Sequence, residues 1–227
     1  NDGQRKIIFM YFYAAIIYYI ARAMKARNYR MPKQISFSGT GSKILNIVGN
    51  AGMVTELSRL IVEKVYCQRY TENFSIKIET ECPKQITCRG GVKMLGDRDA
   101  VAYTPREVNA LKFNYSMLDK DELTLDTVKD QLNREKLVDQ VKAFNQFFIT
   151  LCDVDLRDEF GIDKNVFKVF AEVVNDDLPN YMAAGINAFL NGRYEGADVI
   201  EDVPFFYPIV GVIRHNLLNN LSYNAMR

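Results

Sequence analysis

Apolar residues dominate the start of the chain. From Ile7 to Ala21 the run IIFMYFYAAIIYYIA contains no charged side chain, and an unbroken apolar stretch of this kind predicts a helix buried around most of its circumference. Its 15 residues would rise about 22 Å as a helix, short of the roughly 30 Å hydrocarbon core of a bilayer. Arg5 and Lys6 precede the run and Arg22 and Lys25 follow it, so a core helix is favoured over a membrane span. Met31-Pro32 then ends the helical pattern. Gln34 to Ser38 alternates as a short strand and breaks at Gly39-Thr40-Gly41-Ser42, and a helical pattern resumes over Lys43–Val48. After Gly49-Asn50-Ala51-Gly52, the residues Leu57, Leu60, Ile61, Val65 and Tyr66 recur at three- and four-residue steps. They predict an amphipathic helix over Thr55–Tyr70 with Thr55 as its cap. Phe74–Glu79 alternates strictly, as a half-buried strand does, and Pro83 opens a further helix through Leu95.

Beyond residue 100 the pattern changes. Val108–Leu118 predicts one exposed strand. A long stripe from Leu125 through Leu132, Val141 and Phe148 to Leu151 predicts a helix from about Asp126 to Cys152. Three further helices are predicted at Lys164–Val174, Leu178–Leu190 and Phe205–Leu221, with breaks at Asp176-Asp177 and over Gly192 to Pro204.

Charge divides the chain in the same place. The 227 residues carry a net charge of +1, yet residues 1–100 hold 16 Lys+Arg against 8 Asp+Glu, and residues 101–227 hold 13 against 20. We therefore divide the chain into a basic segment, 1–98, and an acidic, mainly helical one, 99–227. A first residue other than Met, Asn1, suggests a piece of a longer protein.

The side chains available for chemistry are few. A single histidine, His215, disfavours two-histidine zinc sites and leaves one imidazole for any nucleophile triad. Cys67, Cys82, Cys88 and Cys152 are too scattered for a disulfide scaffold. They read as reduced thiols packed as small hydrophobes, which points to the cytoplasm. The acidic stretch Asp153, Asp155, Asp158, Glu159 and Asp163 lacks the sixth-position glycine and closing glutamate of a calcium loop. The basic cluster Arg22, Lys25, Arg27, Arg30 and Lys33 suits a helix C-terminus. No series of aromatic residues interleaves with these charges as a nucleic-acid stacking platform requires, Tyr29 standing alone among them, so no nucleic-acid partner is expected.

The strand, glycine turn and helix at Gln34–Val48 would expose backbone N–H groups where anions bind, although a turn needs glycine with or without a ligand. In order and spacing, the long helix, this strand and turn, the next helix and strand, and a Pro-started helix with the small pair Gly90-Gly91 resemble the last part of the nucleotide-binding core of the actin-like ATPases. The pattern is closest to bacterial actin-like cell-division and pilus-assembly proteins. Ser36 to Ile47 resembles that superfamily's adenosine motif, and Pro83 to Val92 its second connecting motif. The resemblance implies an α/β partial actin-like (ribonuclease-H-like) subdomain followed by a mainly α-helical extension, helix-rich overall. It implies adenosine-facing residues Gly39, Thr40, Gly41, Ser42 and Lys43, with Gly90 and Gly91 at a hinge helix. Thr40 replaces the motif's middle glycine and Leu45-Asn46 its usual Pro-Gly. The family's two phosphate motifs do not occur in the sequence.

The expectation is therefore the C-terminal part of a larger actin-like ATPase-type protein, not catalytic alone. ATP with Mg would be bound by the full-length parent and no cofactor by this fragment. Expected partners are the remainder of the parent polypeptide and a protein docked on the helical half, with a membrane disfavoured. Two alternatives stay open: a non-enzymatic protein-interaction module whose glycine turn binds nothing, and a membrane-associated module using Ile7–Ala21.

Overall fold

The computed structural model describes residues 2–26, 28–38, 42, 45–78, 130–154, 164–191 and 205–225. The predicted Pro83–Leu95 helix, the Val108–Leu118 strand and the junction near residue 98 lie outside these residues. Within them the chain is helix-rich, with six helices and two strands.

The charge-free run lies inside α1, Asp2–Ala26. Met10, Ala14, Ala15 and Ala23 are fully buried, and Tyr11, Tyr13 and Ile17 nearly so. Because its apolar residues have no preferred side, the helix must be covered all round, and the helices over Ala51–Tyr66, Gln131–Val154 and Phe206–Ala225 pack against it. By length and composition, Lys6–Ala26 could also cross a bilayer, but 67% of its most apolar window is buried inside the protein. The helix closes with Asn28 in the left-handed region at φ 58°. There Asn28 N–H donates to Lys25 O and Tyr29 N–H to Met24 O, satisfying carbonyls that the last turn leaves open. The chain thus leaves the helix before Met31-Pro32.

Strands β1, Gln34–Phe37, and β2, Ser75–Ile78, pair in parallel, with Ile35 opposite Ile76 and Phe37 opposite Ile78. Parallel neighbours need a long crossover. It consists of the single turn α2, Leu45–Val48, and α3, Ala51–Tyr66. Ile35, Phe37, Ile76 and Ile78 pack against the core, so the alternation read from the sequence sets which face is covered.

Helix α3 begins earlier than its apolar spacing suggests. Asn50, with extended backbone, is the cap and accepts the Met53 N–H through its side chain. Thr55 lies one turn inside, where its hydroxyl donates 2.7 Å to Ala51 O. An Asn following a glycine competes better for the cap than a Thr whose own backbone is already helical. The helix ends at Tyr66 rather than Tyr70. Cys67 adopts the left-handed conformation, and Gln68 N–H donates to Glu63 O. Cys67 is consequently exposed, whereas Cys152 is buried as expected.

Three helices complete the described structure: α4, Gln131–Val154; α5, Lys164–Asn191; and α6, Phe206–Ala225. Asp130 caps α4 by accepting the Asn133 N–H at 3.0 Å. Leu137, Val141, Phe144, Phe148 and Leu151 are buried, but Leu132 is 60% exposed. The two helices predicted at Lys164–Val174 and Leu178–Leu190 form one. Asp176-Asp177 continues the helix, and Pro179 sits inside it. Leu178, Met182 and Ile186 place one buried residue per turn there, which offsets the helix-breaking tendency of proline and aspartate. Residues of both the 1–98 and the 99–227 segments share one buried cluster.

Two glycines set the contact between α5 and α6. A Cβ at Gly185 would stand 2.5 Å from Tyr207 Cβ, and one at Gly211 would stand 2.6 Å from the Tyr181 ring. Each helix therefore seats the other's tyrosine in a notch without a side chain. Gly185→Ala and Gly211→Ala should each destabilise the chain by about 1–3 kcal/mol through overpacking, despite alanine's better helix propensity. Thermal or denaturant unfolding checks this, and a neutral or stabilising effect at both positions would contradict the notch packing.

Buried hydroxyls on α1 give a second prediction. Burial pushes the Tyr11 phenol well above tyrosine's usual pKa of 10.0, and does the same to Tyr13 against a partial opposing effect of the Ser58 hydrogen bond. The folded chain holds these protons more tightly than the unfolded chain, so stability is full below about pH 10 and falls as pH rises beyond it, by up to ~1.4 kcal/mol per unit per group. With no Trp in the sequence, tyrosinate absorbance can be read directly. Tyr11 and Tyr13 should ionise only with unfolding, so a full complement of tyrosinate in a still-folded chain would disprove their burial.

Candidate functional site

The β1–α2–α3–β2 crossover has two ends with different chemistry. Its carboxyl end, past Phe37 and Ile78, is where the glycine turn leaves β1. Of the five residues singled out from the sequence, Ser42 is described and is buried at 6% exposure. Gly39, Thr40, Gly41 and Lys43 lie outside the described residues. The structure thus brings one candidate into the protein interior beside α2 and leaves the geometry of the other four open.

The second glycine stretch, Gly49-Asn50-Ala51-Gly52, is accounted for by capping. Asn50 Oδ1 takes the Met53 N–H at 2.9 Å. A Cβ at Gly49 would press on Met53 Cβ and Sδ at 3.1 Å, and one at Gly52 would lie 3.3 Å from Asn50 Oδ1. Small residues are required here to admit the cap, and the cap itself uses a donor at the start of α3.

Among the described residues no three His, Cys, Asp or Glu side chains come together as metal ligands would. His215 is exposed on α6, its ring centroid 6.3 Å from that of Tyr181. Arg59 bridges Glu56 and Glu63 on α3. Hydrogen bonding to Glu56 first, with the charges of both carboxylates, outweighs desolvation and raises the guanidinium further above its usual pKa. Glu63 Oε1 also accepts the Tyr70 N–H at 2.8 Å. These are structural ion pairs, each residue being tied to the helix or to the loop after it.

The amino end of the crossover is built differently. The loop from α1 to β1 and the loop from α3 to β2 face each other there, and a groove of about 800 Å³ opens between them. The loops are joined by side chain to backbone bonds: Tyr66 Oη donates 3.1 Å to Tyr29 O, Tyr70 Oη donates 2.7 Å to Pro32 O, and Lys25 Nζ donates 2.7 Å to Val65 O. Burial, then the Glu63 charge, raises the Tyr70 pKa, so its hydroxyl stays a donor at neutral pH. Lys33 pairs with Glu72 at 2.5 Å across the loops.

Part of the basic cluster at the end of α1 therefore has structural work: Lys25 holds the end of α3, Lys33 is paired, and Arg22 lies 5.8 Å over the Tyr18 ring. In the sequence Tyr29 stands alone among these charges. The structure supplies Tyr66 and Tyr70 from about 40 residues downstream. The available signal was that Tyr66 and Tyr70 fall at the end of a helical stripe, where side chains reach past the helix into the next loop.

No protein family model, curated protein or solved structure matches this chain.

The end of α3 carries its own test. Cys67 is a non-glycine residue at φ 56°, ψ 36°, a conformation costing an L-residue roughly 1–2 kcal/mol. Cys67→Gly should relieve that strain, less the entropy glycine gains on unfolding. A net stabilisation of about 0.5–1 kcal/mol in denaturant melts is expected, and destabilisation would mean the thiol contributes more than the backbone loses.

Proposed function

We propose that this chain is the C-terminal part of a larger actin-like-fold, ATPase-type protein and contributes the adenosine side of its nucleotide cleft. The observation that carries this reading is the parallel pairing of β1 with β2 through a helical crossover, with the glycine turn directly after β1. In parallel α/β sheets, ligands collect at the carboxyl ends of the strands, where backbone N–H groups and helix starts converge. The buried α1 before β1 matches the element order expected of this part of the fold.

In this reading Gly39 and Gly41 let the main chain approach the base and ribose. Thr40 and Ser42 present hydroxyls, and Lys43 brings a positive charge to the mouth of the cleft. Ser42's burial suits a residue that fixes the turn. The sequence lacks the family's two phosphate motifs, so metal and phosphate chemistry would belong to the remainder of the parent polypeptide, and this chain alone would not hydrolyse ATP. The setting is cytoplasmic, the helical half docks a protein partner, and α1 serves as core rather than as a membrane span.

A second reading, a non-enzymatic interaction module, is favoured by one observation. α2 opens at Leu45, buried at 2%, where the resembled motif carries Pro-Gly, so the helix that follows the glycine stretch is anchored by packing without need of a ligand. Calorimetric titration separates the two. The first reading expects weak binding of adenosine and ATP alike, independent of Mg²⁺ and weakened at least fivefold by Gly41→Val or Lys43→Ala. Tight Mg²⁺-dependent ATP binding would overturn the half-site reading. No adenosine binding at millimolar ligand, by a chain shown to be folded, would leave the interaction module.

A further inference from the structure

The groove at the amino end of the crossover lies at the opposite end of β1 from the glycine turn, and its chemistry is independent of the nucleotide reading. Lys25, Arg30, Lys33 and Arg69 line it against one acid, Glu72. Lys25 and Lys33 already have partners. Arg30 and Arg69 are exposed and have no hydrogen-bond or ion-pair partner among the described residues. Two guanidinium forks, one from each loop, thus face a cavity of about 800 Å³. The loops that carry them are held together by the Tyr66, Tyr70 and Lys25 bonds to backbone carbonyls. With the loops tied together, both arginines stand on a fixed backbone, and a carboxylate matches each planar fork with two parallel hydrogen bonds.

Two features identify the ligand. A second hollow along the end of α3 shares Gln68 and Arg69 and is lined further by Lys64 and by the Arg59–Glu63 pair. Two hollows that share a wall offer an extended surface, which suits a chain rather than a small molecule. Its aromatic residues do not form a stacking platform: the Tyr66 and Tyr70 hydroxyls are engaged, and the Tyr70 ring lies 5.0 Å from Phe74. Tyr29, at 46% exposure, is the one groove tyrosine with a freely accessible ring, whereas single-stranded nucleic acid is held by successive stacked bases. The remaining polar side chains, Asn28, Gln68 and Thr71, are donors and acceptors of the kind that pair with a peptide main chain.

We propose that this groove docks an acidic, extended peptide segment of a partner protein, its carboxylates held by Arg30 and Arg69. The test is fluorescence anisotropy on the full 227-residue chain with a labelled Glu/Asp-rich decapeptide, a Ser/Gly decapeptide and a ten-nucleotide oligouridine. The acidic peptide should bind and the neutral one should not. The double variant Arg30→Ala/Arg69→Ala should lose at least tenfold in affinity, while Arg30→Lys/Arg69→Lys should recover only part of it. Circular dichroism should show both variants folded, since neither arginine supports a described contact. Added salt should weaken binding. Lys43→Ala, at the other end of the crossover, should leave peptide binding unchanged, which separates this site from the nucleotide reading. Tighter binding of oligouridine than of acidic peptide would overturn the proposal in favour of nucleic acid. Absence of acidic-peptide binding, or binding undiminished in the double alanine variant, would overturn it outright.

Discussion

The whole arrangement depends on covering α1. A helix apolar on every side cannot lie at a surface: each exposed Å² of it costs about 25 cal/mol, and its buried residues stretch from Ile7 to Ala23. The crossover helix α3 covers one side and the helices α4 and α6 the others. Burying α1 also buries its tyrosine hydroxyls, which must then find partners inside. Tyr11 donates 2.5 Å to Asn145 of α4, whose amide donates 2.7 Å to Asn175 of α5. Tyr13 shares a 2.6 Å bond with Ser58 of α3. These bonds constrain rotation and register around α1, because a shift along its axis would leave a buried hydroxyl or amide unpaired.

That central helix determines what the crossover can present. With α1 packed along α3, the two strand ends point away from each other, one toward the glycine turn and one toward the basic groove. The first is made of a single continuous stretch of sequence. The second is assembled from two loops that meet because Tyr66 and Tyr70 reach across to Tyr29 and Pro32. One small parallel unit thus has two ends of different make-up: at one, β1 leads into the glycine-containing stretch of sequence, and at the other a basic groove opens between two loops.

How much of this could be read in advance varied with how local the cause was. The buried run Ile7–Ala21, the alternating strands and the stripe of α4 were legible, since side-chain period alone decides which face is apolar. Errors arose where two local signals competed. Thr55 and Asn50 can both cap, and the choice fell to Asn50 because Gly49 and Gly52 leave room around it. Asp176-Asp177 and Pro179 all argue for a break, yet α5 runs through because Leu178 and Met182 are held in the core. At the candidate site the glycine turn was visible as a pattern, and the burial of Ser42 was not. The basic groove was invisible, because the two loops that form it lie about 40 residues apart in sequence.

By itself, then, the sequence determined which segments are apolar, their helical or extended period and the split of charge between the two halves, because each depends on neighbours a few residues away. Tertiary structure decided the rest. It fused two predicted helices into one, paired β1 with β2 and joined two loops into a groove. It also drew the described parts of both segments into one buried cluster. The physical reason is common to all of these: each outcome turns on a contact between residues distant in the chain, whose free energy exceeds the local preference it overrides and cannot be read from spacing alone.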